Sequence, residues 1–401
     1  MSFKTSSLTS LSSLITKGTT PTTLGYAHSD SGIPFLRVQN IFSGQVNFKE
    51  DTLFIDSNTH AALKRSQIQG GDVLVTIAGT IGRTGVVPHD APGMNCNQAV
   101  AIVRPTQEIE RSYLRHWLES QEARSQMLGS TVTGTISNLS LSQLGELRVP
   151  LPPLEEQRRI AAILDQAETL RTQRRTALAL QGSLTQSLFL DMFGAGESHG
   201  WPTTSIGEIV DEENGGIRTG PFGSQLLHSE FVDEGVAVLG IDNAVNNEFR
   251  WSERRYITHA KYEELKRYTV RPGDVLITIM GTCGRCVVVP DDIPLAINTK
   301  HLCCISVDRR KVVPDYLHAY FLRHPTARKY LEQTAKGAIM SGLNMGIIKA
   351  MPIALPPLPL QQTFATRIAS IEALQATHRR ALAALDALFA SLQQRAFAGT
   401  L

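Results

Sequence analysis

Two cysteines at the spacing used by redox and zinc sites are the first residues in this sequence that could carry chemistry. Cys283-Gly-Arg-Cys286 has that two-residue separation, and Cys303-Cys304 follows nearby. A similar stretch earlier in the chain places Ile81 and Thr84 at the positions of the first pair. Free cysteines often pack as small apolar side chains. The sequence therefore favours buried thiols over a metal or redox site, and we predict no metal ligands.

Other catalytic patterns are weak in this sequence. Gly79, Gly82 and Gly85 do not have the spacing of a dinucleotide-binding loop, and neither a phosphate-binding P-loop nor a G-x-S-x-G nucleophile motif is present. Glu264-Leu-Lys266 is similar to the end of a nuclease motif, but the earlier copy reads Ala62-Leu-Lys64 and lacks the acid. We therefore predict a chain without catalytic residues.

The polar loops are more informative about function than these catalytic patterns. They combine glycines, hydroxyls, amides and a few cations, which are the groups that approach phosphates and hydrogen-bond to base edges. Each residue could instead cap a turn or a strand end. In the N-terminal half the candidates for DNA contact are Lys17, Thr19, Thr20, Arg37, Gln39, Asn40, Thr80, Arg83, Asn97, Gln98 and Asn138. In the C-terminal half they are Arg218, Thr219, Phe222, Ser224, Asn243, Thr282, Arg285, Asn298, Lys300, His301, Ser341 and Asn344.

The elements that carry these loops occur twice. The segment 71–88 (GDVLVTIAGTIGRTGVVP) returns about 200 residues later as 273–290 (GDVLITIMGTCGRCVVVP). LRVQN at 36–40 returns as LGIDN at 239–243, and Tyr113-Leu114 returns as Tyr316-Leu317. The chain is therefore a direct duplication in the order domain, helix, domain, helix.

Each repeated domain has a mixed pattern. Residues 35–40, 73–77 and 99–103 are rich in β-branched or aromatic residues and predict short strands, whereas 59–65 and 109–128 predict helices. Because strands and helices do not alternate regularly, the fold class is α+β.

Each domain is followed by a long amphipathic segment that begins after a proline pair. Residues 151–193 would form a helix of roughly 60 Å. Apolar residues seven apart predict a coiled-coil seam, and the segment 355–397 has a similar pattern. We expect the two helices to pair with each other in an antiparallel coiled coil. In the first helix the seam is Ile163, Leu170, Ala177 and Leu184, with Ile160, Ala167 and Leu188 on the neighbouring row. In the second helix it is Phe364, Ile371, Leu385 and Leu392.

Composition limits the possible classes of protein. A chain of 401 residues suggests more than one domain, and 39 basic against 37 acidic residues give a net charge of only +2. Any nucleic-acid binding must then depend on locally placed cations or on a partner that shares the phosphate contacts. Five cysteines, an odd number, favour a reducing compartment. With neither an apolar span nor a secretion signal in the sequence, we expect a cytoplasmic protein that does not enter a membrane.

The duplicated plan closely resembles the specificity (S) subunit of type I restriction–modification systems. The resemblance rests on IPFLRVQNI (33–41), the two GDVL repeats, LPPLEEQRRIAAIL (151–164) and LPPLPLQQ (355–362), and it covers nearly the whole chain. It implies two target recognition domains at 1–150 and 201–354, two conserved spacer helices at 151–194 and 355–401, and a joint at 195–200.

The resemblance also implies partners. It implies that the chain reads an asymmetric bipartite target in double-stranded DNA and scaffolds two methyltransferase (M) subunits and restriction (R) subunits. The chain itself would bind no cofactor, and S-adenosylmethionine would lie on the M subunits. The alternatives are a stand-alone DNA methyltransferase or nuclease, and an assembly scaffold that binds protein without reading DNA. The absence of a D/N-P-P-[YF] methylation motif argues against the enzyme.

The helix surfaces are candidates for docking the M subunits. The first helix opens with Glu155-Glu-Gln-Arg158, but the second opens with Pro359-Leu-Gln-Gln362, so the two docking surfaces are not expected to be equivalent. The candidate docking residues are Glu155, Arg158, Arg159, Arg174 and Arg175.

Overall fold

The computed structural model describes residues 3–129, 138–194, 200–251, 254–334 and 343–401. They divide into two compact units. Unit 1 comprises Met1–Thr176 with Arg379–Leu401, and unit 2 comprises Ala177–His378. The division passes through both long helices, whereas the boundaries expected from the sequence follow the repeat. Those boundaries, including the joint at 195–200, stay a prediction.

Unit 1 combines short strands with helices. The strands are β1 (Thr5–Ser7), β2 (Ser12–Lys17), β3 (Ile33–Leu36), β4 (Ile41–Phe42), β5 (Gln45–Val46), β6 (Leu53–Ile55), β7 (Gln67–Ile68), β8 (Val73–Thr76), β9 (Thr84–Val86), β10 (Met94–Cys96), β11 (Val100–Pro105) and β12 (Arg148–Pro150). The helices are α1 (Ser57–Ala62), α2 (Arg111–Leu118), α3 (Gln121–Gly129), α4 (Leu141–Glu146) and the first part of α5 (Leu154–Phe193).

Unit 2 repeats this series. Its strands are β13 (Thr203–Ser205), β14 (Ile217–Thr219), β15 (Val236–Leu239), β16 (Ala244–Val245), β17 (Glu248–Phe249), β18 (Tyr256–Ile257), β19 (Thr269–Val270), β20 (Val275–Thr278), β21 (Cys286–Val288), β22 (Ala296–Asn298), β23 (Leu302–Ile305) and β24 (Pro352–Ala354). Its helices are α6 (His259–Leu265), α7 (Pro314–Arg323), α8 (Pro325–Thr334), α9 (Met345–Ala350) and the first part of α10 (Leu358–Ala398).

The sheets of the two units have the same topology. In unit 1 the four-stranded sheets run β2-β11-β8-β9 and β6-β3-β10-β7, and in unit 2 they run β14-β23-β20-β21 and β18-β15-β22-β19. Two-stranded pairs complete each unit, namely β1-β12 and β4-β5 in one and β13-β24 and β16-β17 in the other. The α+β class and the tandem duplication are therefore confirmed.

Side-chain capping changes two of the predicted elements. The strand expected over 35–40 ends at Leu36, because the Asn40 side chain accepts a hydrogen bond from the Arg37 amide and closes a 3₁₀ turn. The helix expected over 109–128 is broken after Leu118. Ser120 accepts a bond from the Ala123 amide and so caps the start of a second helix.

Both long helices are confirmed, and within each unit their segments run antiparallel. In unit 1, Arg159 contacts the Leu401 carbonyl, and Arg175 lies 3.0 Å from Asp386. In unit 2, Phe189 and Phe193 pack on Phe364. A proline pair precedes each helix, where a missing amide hydrogen costs no helical hydrogen bond.

The buried face of α5 matches only part of the predicted heptad seam. Leu170 and Leu184 belong to the expected row, but their side chains are 44% and 49% exposed. Ile160 and Ala167, from the neighbouring row of the prediction, are buried in the core of unit 1. Leu164 in that core and Phe189 in the core of unit 2 are buried as well and were not predicted. Packing against the globular domains, and not helix pairing alone, determines which face is covered.

A buried glutamine joins each long helix to its globular domain. Gln157 accepts a hydrogen bond from the Glu110 amide (2.8 Å) and donates to the carbonyls of Pro152 (2.9 Å) and Glu108 (3.2 Å). In unit 2, Gln361 makes the equivalent bonds to the Val313 amide and to two carbonyls. The same amide thus satisfies three backbone groups at each junction.

We expect Gln157→Ala to lower the free energy of unfolding by about 1–3 kcal/mol, because buried backbone groups lose their hydrogen-bond partners. Urea unfolding monitored by circular dichroism measures the change. Gln166→Ala, an exposed position on the same helix, is the matched control and should shift the midpoint little. Equal stability of the two variants would contradict the role of Gln157.

Candidate nucleic-acid interface

In unit 1 the strand directions bring two of the predicted loops to one sheet edge. β3 and β10 are parallel, with Leu36 opposite Cys96, so the chain leaves both strands at the same end. The Asn97 amide then donates to the Leu36 carbonyl at 3.0 Å. Residues 37–40 and 97–98 therefore lie side by side.

A third loop, residues 17–20, crosses this edge. Lys17 ends β2 opposite Ala101, and the Thr19 amide donates to the Cys96 carbonyl at 3.1 Å. At Gly18 a Cβ atom would lie 2.1 Å from the carbonyl oxygens of Cys96 and Asn97, so only glycine fits. The Thr20 hydroxyl donates to the side chain of Gln98. We call loops 17–20, 37–40 and 97–98 the unit-1 edge; Lys17, Gln39 and Gln98 are its exposed members.

The hairpin loop between β8 and β9 is held by a buried threonine. The Thr76 hydroxyl donates to the Thr80 carbonyl and accepts from the Arg83 amide at 2.9 Å. Gly79 and Gly82 have φ of 73° and 81°, which a side chain would strain. The loop therefore has a fixed shape in which Thr80 and Arg83 are exposed. Asn138, also exposed, is paired with Ala78 beside it.

Unit 2 contains the same arrangement of strand ends and loops. β15 and β22 are parallel with Leu239 opposite Asn298, and a Cβ at Gly220 would lie 2.0 Å from the Asn298 carbonyl oxygen. The Thr278 hydroxyl holds the loop of Thr282 and Arg285 as Thr76 does in unit 1. We call residues 219–224, 240–243 and 298–301 the unit-2 edge.

The exposed side chains of the unit-2 edge differ from those of unit 1. Phe222, which is 49% exposed, follows the crowded Gly220 as Thr20 follows Gly18. Ser224 is exposed, and Thr219, Lys300 and His301 are half-buried. Burial, with the charges of Lys300 and Arg255, lowers the pKa of His301. The two edges thus share a backbone frame and carry different chemical groups.

Four of the predicted contact residues are corrected by the structure. Asn40, Arg218, Asn243 and Asn298 are at most 8% exposed. Asn40 and Asn243 each accept a bond from a backbone amide three residues earlier, and Asn298 donates to the Leu302 carbonyl. Their polar groups hold the loops in place, so they are not available to DNA.

The remaining candidates keep their status as predictions. Arg37 and Gln39 both contact Asp51, and Asn344 caps α9 by accepting from the Ile347 amide. Ser341 lies outside the described residues. The candidate docking residues are all exposed on α5. Among them, Arg159 pairs with Glu156 and Arg175 pairs with Asp386 within unit 1.

Four of the five cysteines are buried, and the Cys304 thiol donates to the Asp274 carboxylate at 3.3 Å. Cys303 and Cys304 are successive residues of β23, and their side chains enter two different hydrophobic cores. Burial raises the pKa of the Cys303 thiol to about 12 and raises those of Cys286 and Cys304 as well. These thiols are protonated at neutral pH, which suits core packing better than metal binding.

Two ion pairs of buried aspartates were missed by the sequence reasoning. Asp72 accepts two bonds from Arg104, at 2.8 and 2.9 Å, and Asp274 lies 2.9 Å from Arg218. Each aspartate belongs to a Gly-Asp turn that occurs in both halves of the sequence. The repeat therefore identified the aspartate but not the arginine that pairs with it. The arginine comes from β11 in one unit and from β14 in the other, so the repeat itself gave no signal.

The duplicated sequence matches the profile of a known protein family. The profile described as the type I restriction modification DNA specificity domain matches residues 2–179 and again residues 200–386. The chain belongs to this family. The family and the specificity-subunit role predicted from the sequence are thereby confirmed.

Relatives in the family include specificity subunits of characterised enzymes. Those of type I restriction enzymes EcoKI from Escherichia coli (strain K12) and StySPI from Salmonella potsdam are each 24% identical to this chain, over 93% of it and 83% of their own length. The EcoBI subunit from Escherichia coli is 31% identical, but over 46% of this chain and 39% of its own length.

Solved structures share the fold. The S subunit of the type I restriction–modification system from M. genitalium has a TM-score of 0.61 at 14% identity, with 99% of this chain and 96% of that one covered. A chain from a study of complex assembly in a type I R-M system has a TM-score of 0.58 at 20% identity, covering 100% and 98%. Within the described residues, we find no helix long and apolar enough to cross a membrane.

Proposed function

We propose that this chain recognises an asymmetric bipartite target in double-stranded DNA, with one half-site read by each edge. The observation that carries the proposal is the repeated loop frame with different exposed groups. Thr20 and Gln98 in the unit-1 edge are replaced by Phe222 and Lys300 in the unit-2 edge. Two edges that share a backbone arrangement but expose different side chains would read two different base sequences.

The charge of the edges supports binding that is shared with partners. Lys17, Arg37 and Arg83 are the cations of the unit-1 loops, and Arg285 and Lys300 those of the unit-2 loops. So few cations release few counterions, and the resulting affinity at physiological salt would be modest. We therefore propose that two M subunits hold the same duplex and carry S-adenosylmethionine and the methylation chemistry. This chain would supply sequence readout without catalysis, in the cytoplasm.

Apolar side chains exposed on the long helices support docking of these subunits. In unit 1, Leu170 and Leu388 are 44% and 50% exposed, and in unit 2 Leu180 and Leu374 are 65% and 50% exposed. Leucines left in water on helices of a folded unit favour burial against a protein partner. Together with the charged residues of α5, they would form the surfaces for M subunits, onto which R subunits assemble.

Exchange of one recognition domain tests the proposal. A hybrid in which residues 1–145 are replaced by those of another family member should change one half-site and leave the other half and its orientation unchanged. Single-molecule mapping of N6-methyladenine in cells expressing the hybrid with its M subunits measures this. The unexchanged chain with the same M subunits is the control.

The alternatives predict other maps. A protein-binding scaffold would give the same methylation pattern with and without the exchange. A stand-alone enzyme would methylate or cut DNA when purified without M and R subunits. Changes in both half-sites of the hybrid would contradict the assignment of one half-site to each unit.

A further inference from the structure

In unit 1 an ionic network around the buried side chains of Arg115 and His116 joins helix α2 to both long helices. Arg115, only 3% exposed, lies 2.9 Å from Asp165 and 2.7 Å from Glu168, both on α5. His116 Nε2 lies 2.8 Å from Asp165, and the Ser112 hydroxyl donates to the same carboxylate at 2.8 Å. We call these five residues the Arg115 network.

The network also reaches the sheet and helix α10. Arg115 lies 3.5 Å from Glu119, whose carboxylate accepts from the Thr84 hydroxyl at 2.7 Å. Thr84 directly follows Arg83 of the exposed hairpin loop. On the other side, the Gln393 amide of α10 donates to the His116 carbonyl at 3.0 Å. Contacts therefore continue from a candidate DNA-contacting loop to both long helices.

Directional bonds in this position restrain geometry more than apolar packing does. Burial would raise the pKa of Asp165, but bonds from His116 and Ser112 and the charges of His116 and Arg115 outweigh it and lower the pKa to about 2. The carboxylate therefore stays charged and bonded at neutral pH. His116, Asp165 and Glu168 also have the spacing of metal ligands, but the Arg115 guanidinium contacts all three and supplies the positive charge.

Unit 2 has the same fold, but its described residues do not repeat the Arg115 network residue for residue. Aligning Tyr113 with Tyr316 places His318 at the position of Arg115 and Leu322 at that of Glu119. His318 bonds to the Cys286 carbonyl at 3.0 Å, and burial with the charge of Arg323 lowers its pKa to about 4. The charge there comes from Arg323 of α7, which interacts with Glu372 of α10. An aromatic contact is common to both junctions, Tyr316 with Phe193 in unit 2 and Tyr113 with Phe397 in unit 1. The same fold is therefore compatible with different contacts at this junction, and the hydrogen-bonded cluster around Arg115 is particular to unit 1.

We propose that Arg115 is a positioning residue that holds the first recognition domain at a fixed angle on its part of the helix pair. This inference rests on the proposed reading of a bipartite target. A fixed angle determines where the unit-1 edge contacts the duplex. DNA affinity should therefore depend strongly on the number of base pairs between the half-sites. The base preference at each half-site depends on the loops and is independent of Arg115.

The test compares two arginine-to-methionine changes on the same helix. Arg115→Met removes the network, whereas Arg111→Met removes a cation that contacts His89 inside the domain and does not touch the long helices. Each variant is purified as the complex with M subunits and bound to duplexes whose half-sites are separated by the native gap or by one base pair more or less.

We expect Arg115→Met to raise the affinity for the altered gaps relative to the native gap by about tenfold, which is within the range of coupling between contacting residues. Half-site base preference should not change, and Arg111→Met should keep the wild-type gap profile. Glu168→Gln should broaden the profile in the same way, and the double variant should add little because both changes break one network.

Two outcomes would overturn the inference. One is an Arg115→Met complex that binds DNA with a gap profile as narrow as the wild type. The other is loss of base preference at the first half-site with the profile unchanged, which would make Arg115 a support of the loops. If Arg115→Met does not fold, the milder Glu168→Gln carries the comparison. A wild-type complex without any preferred gap would overturn the bipartite proposal as well, which distinguishes the two failures.

Discussion

Replacing Arg218 by methionine is expected to lower the free energy of unfolding of unit 2 by about 3–5 kcal/mol, because it leaves a buried carboxylate without its counter-ion. Arg218 lies 2.9 Å from Asp274 and donates to the Ser306 hydroxyl at 3.0 Å, and both side chains of the ion pair are less than a tenth exposed. Urea unfolding measures the loss. Hydrogen exchange should increase in β14, β20 and β23 and remain unchanged in unit 1.

Arg285→Met is the matched control for this prediction. Arg285 is exposed on the unit-2 hairpin loop, so its loss should leave stability unchanged and weaken DNA binding by the complex. A double variant, Arg218→Met with Asp274→Leu, should recover much of the stability, since replacing both members of a buried pair by apolar groups is often neutral. An Arg218→Met variant that kept full stability but lost DNA binding would refute the structural role of the buried Arg218 side chain.

Arg218 also shows where sequence reasoning fails. An arginine followed by threonine, with glycines two residues away on either side, has the composition of a phosphate contact. Its actual partner, Asp274, is distant in sequence and becomes its neighbour only through the pairing of β14 and β20 with β23. The equivalent acid in unit 1, Asp72, takes its arginine from β11. Local pattern therefore identified the polar residues but could not separate those that read DNA from those that hold the fold.

The larger architecture was predictable because it depends on repeated local signals. Proline pairs, long proline-free segments and duplicated Gly-Asp turns specify the helices and strands without reference to distant residues. The covered face of α5 was not predictable in this way. The predicted seam correctly included Ile160, but it also included Leu170 and Leu184, which are exposed. The helix packs on a globular domain near each end and there buries Leu164 and Phe189, which the seam left out. The Arg115 network was missed for the same reason, since α2 and α5 meet only in the folded unit.

The largest change in target choice is expected from lengthening both long helices. Four residues inserted after Thr176 in α5 and four after His378 in α10 add about 6 Å to each helix and turn it about 40° beyond one full turn. At ~3.4 Å of rise and roughly 34° of twist for each base pair, the added length and rotation correspond to one or two base pairs. The preferred gap between half-sites should therefore increase by that amount, with both half-site sequences unchanged.

Methylation mapping in cells that express the lengthened chain with its M subunits measures the gap directly. Four residues inserted after Asp90, in the exposed turn between β9 and β10, are the control, because they lengthen the chain without moving the helix pair. An insertion in one helix alone should disturb the antiparallel contacts, such as Arg175 with Asp386, and lower stability. An unchanged gap in the doubly lengthened chain would show that the helices do not measure the target, whereas a longer gap would make helix length the determinant of spacing.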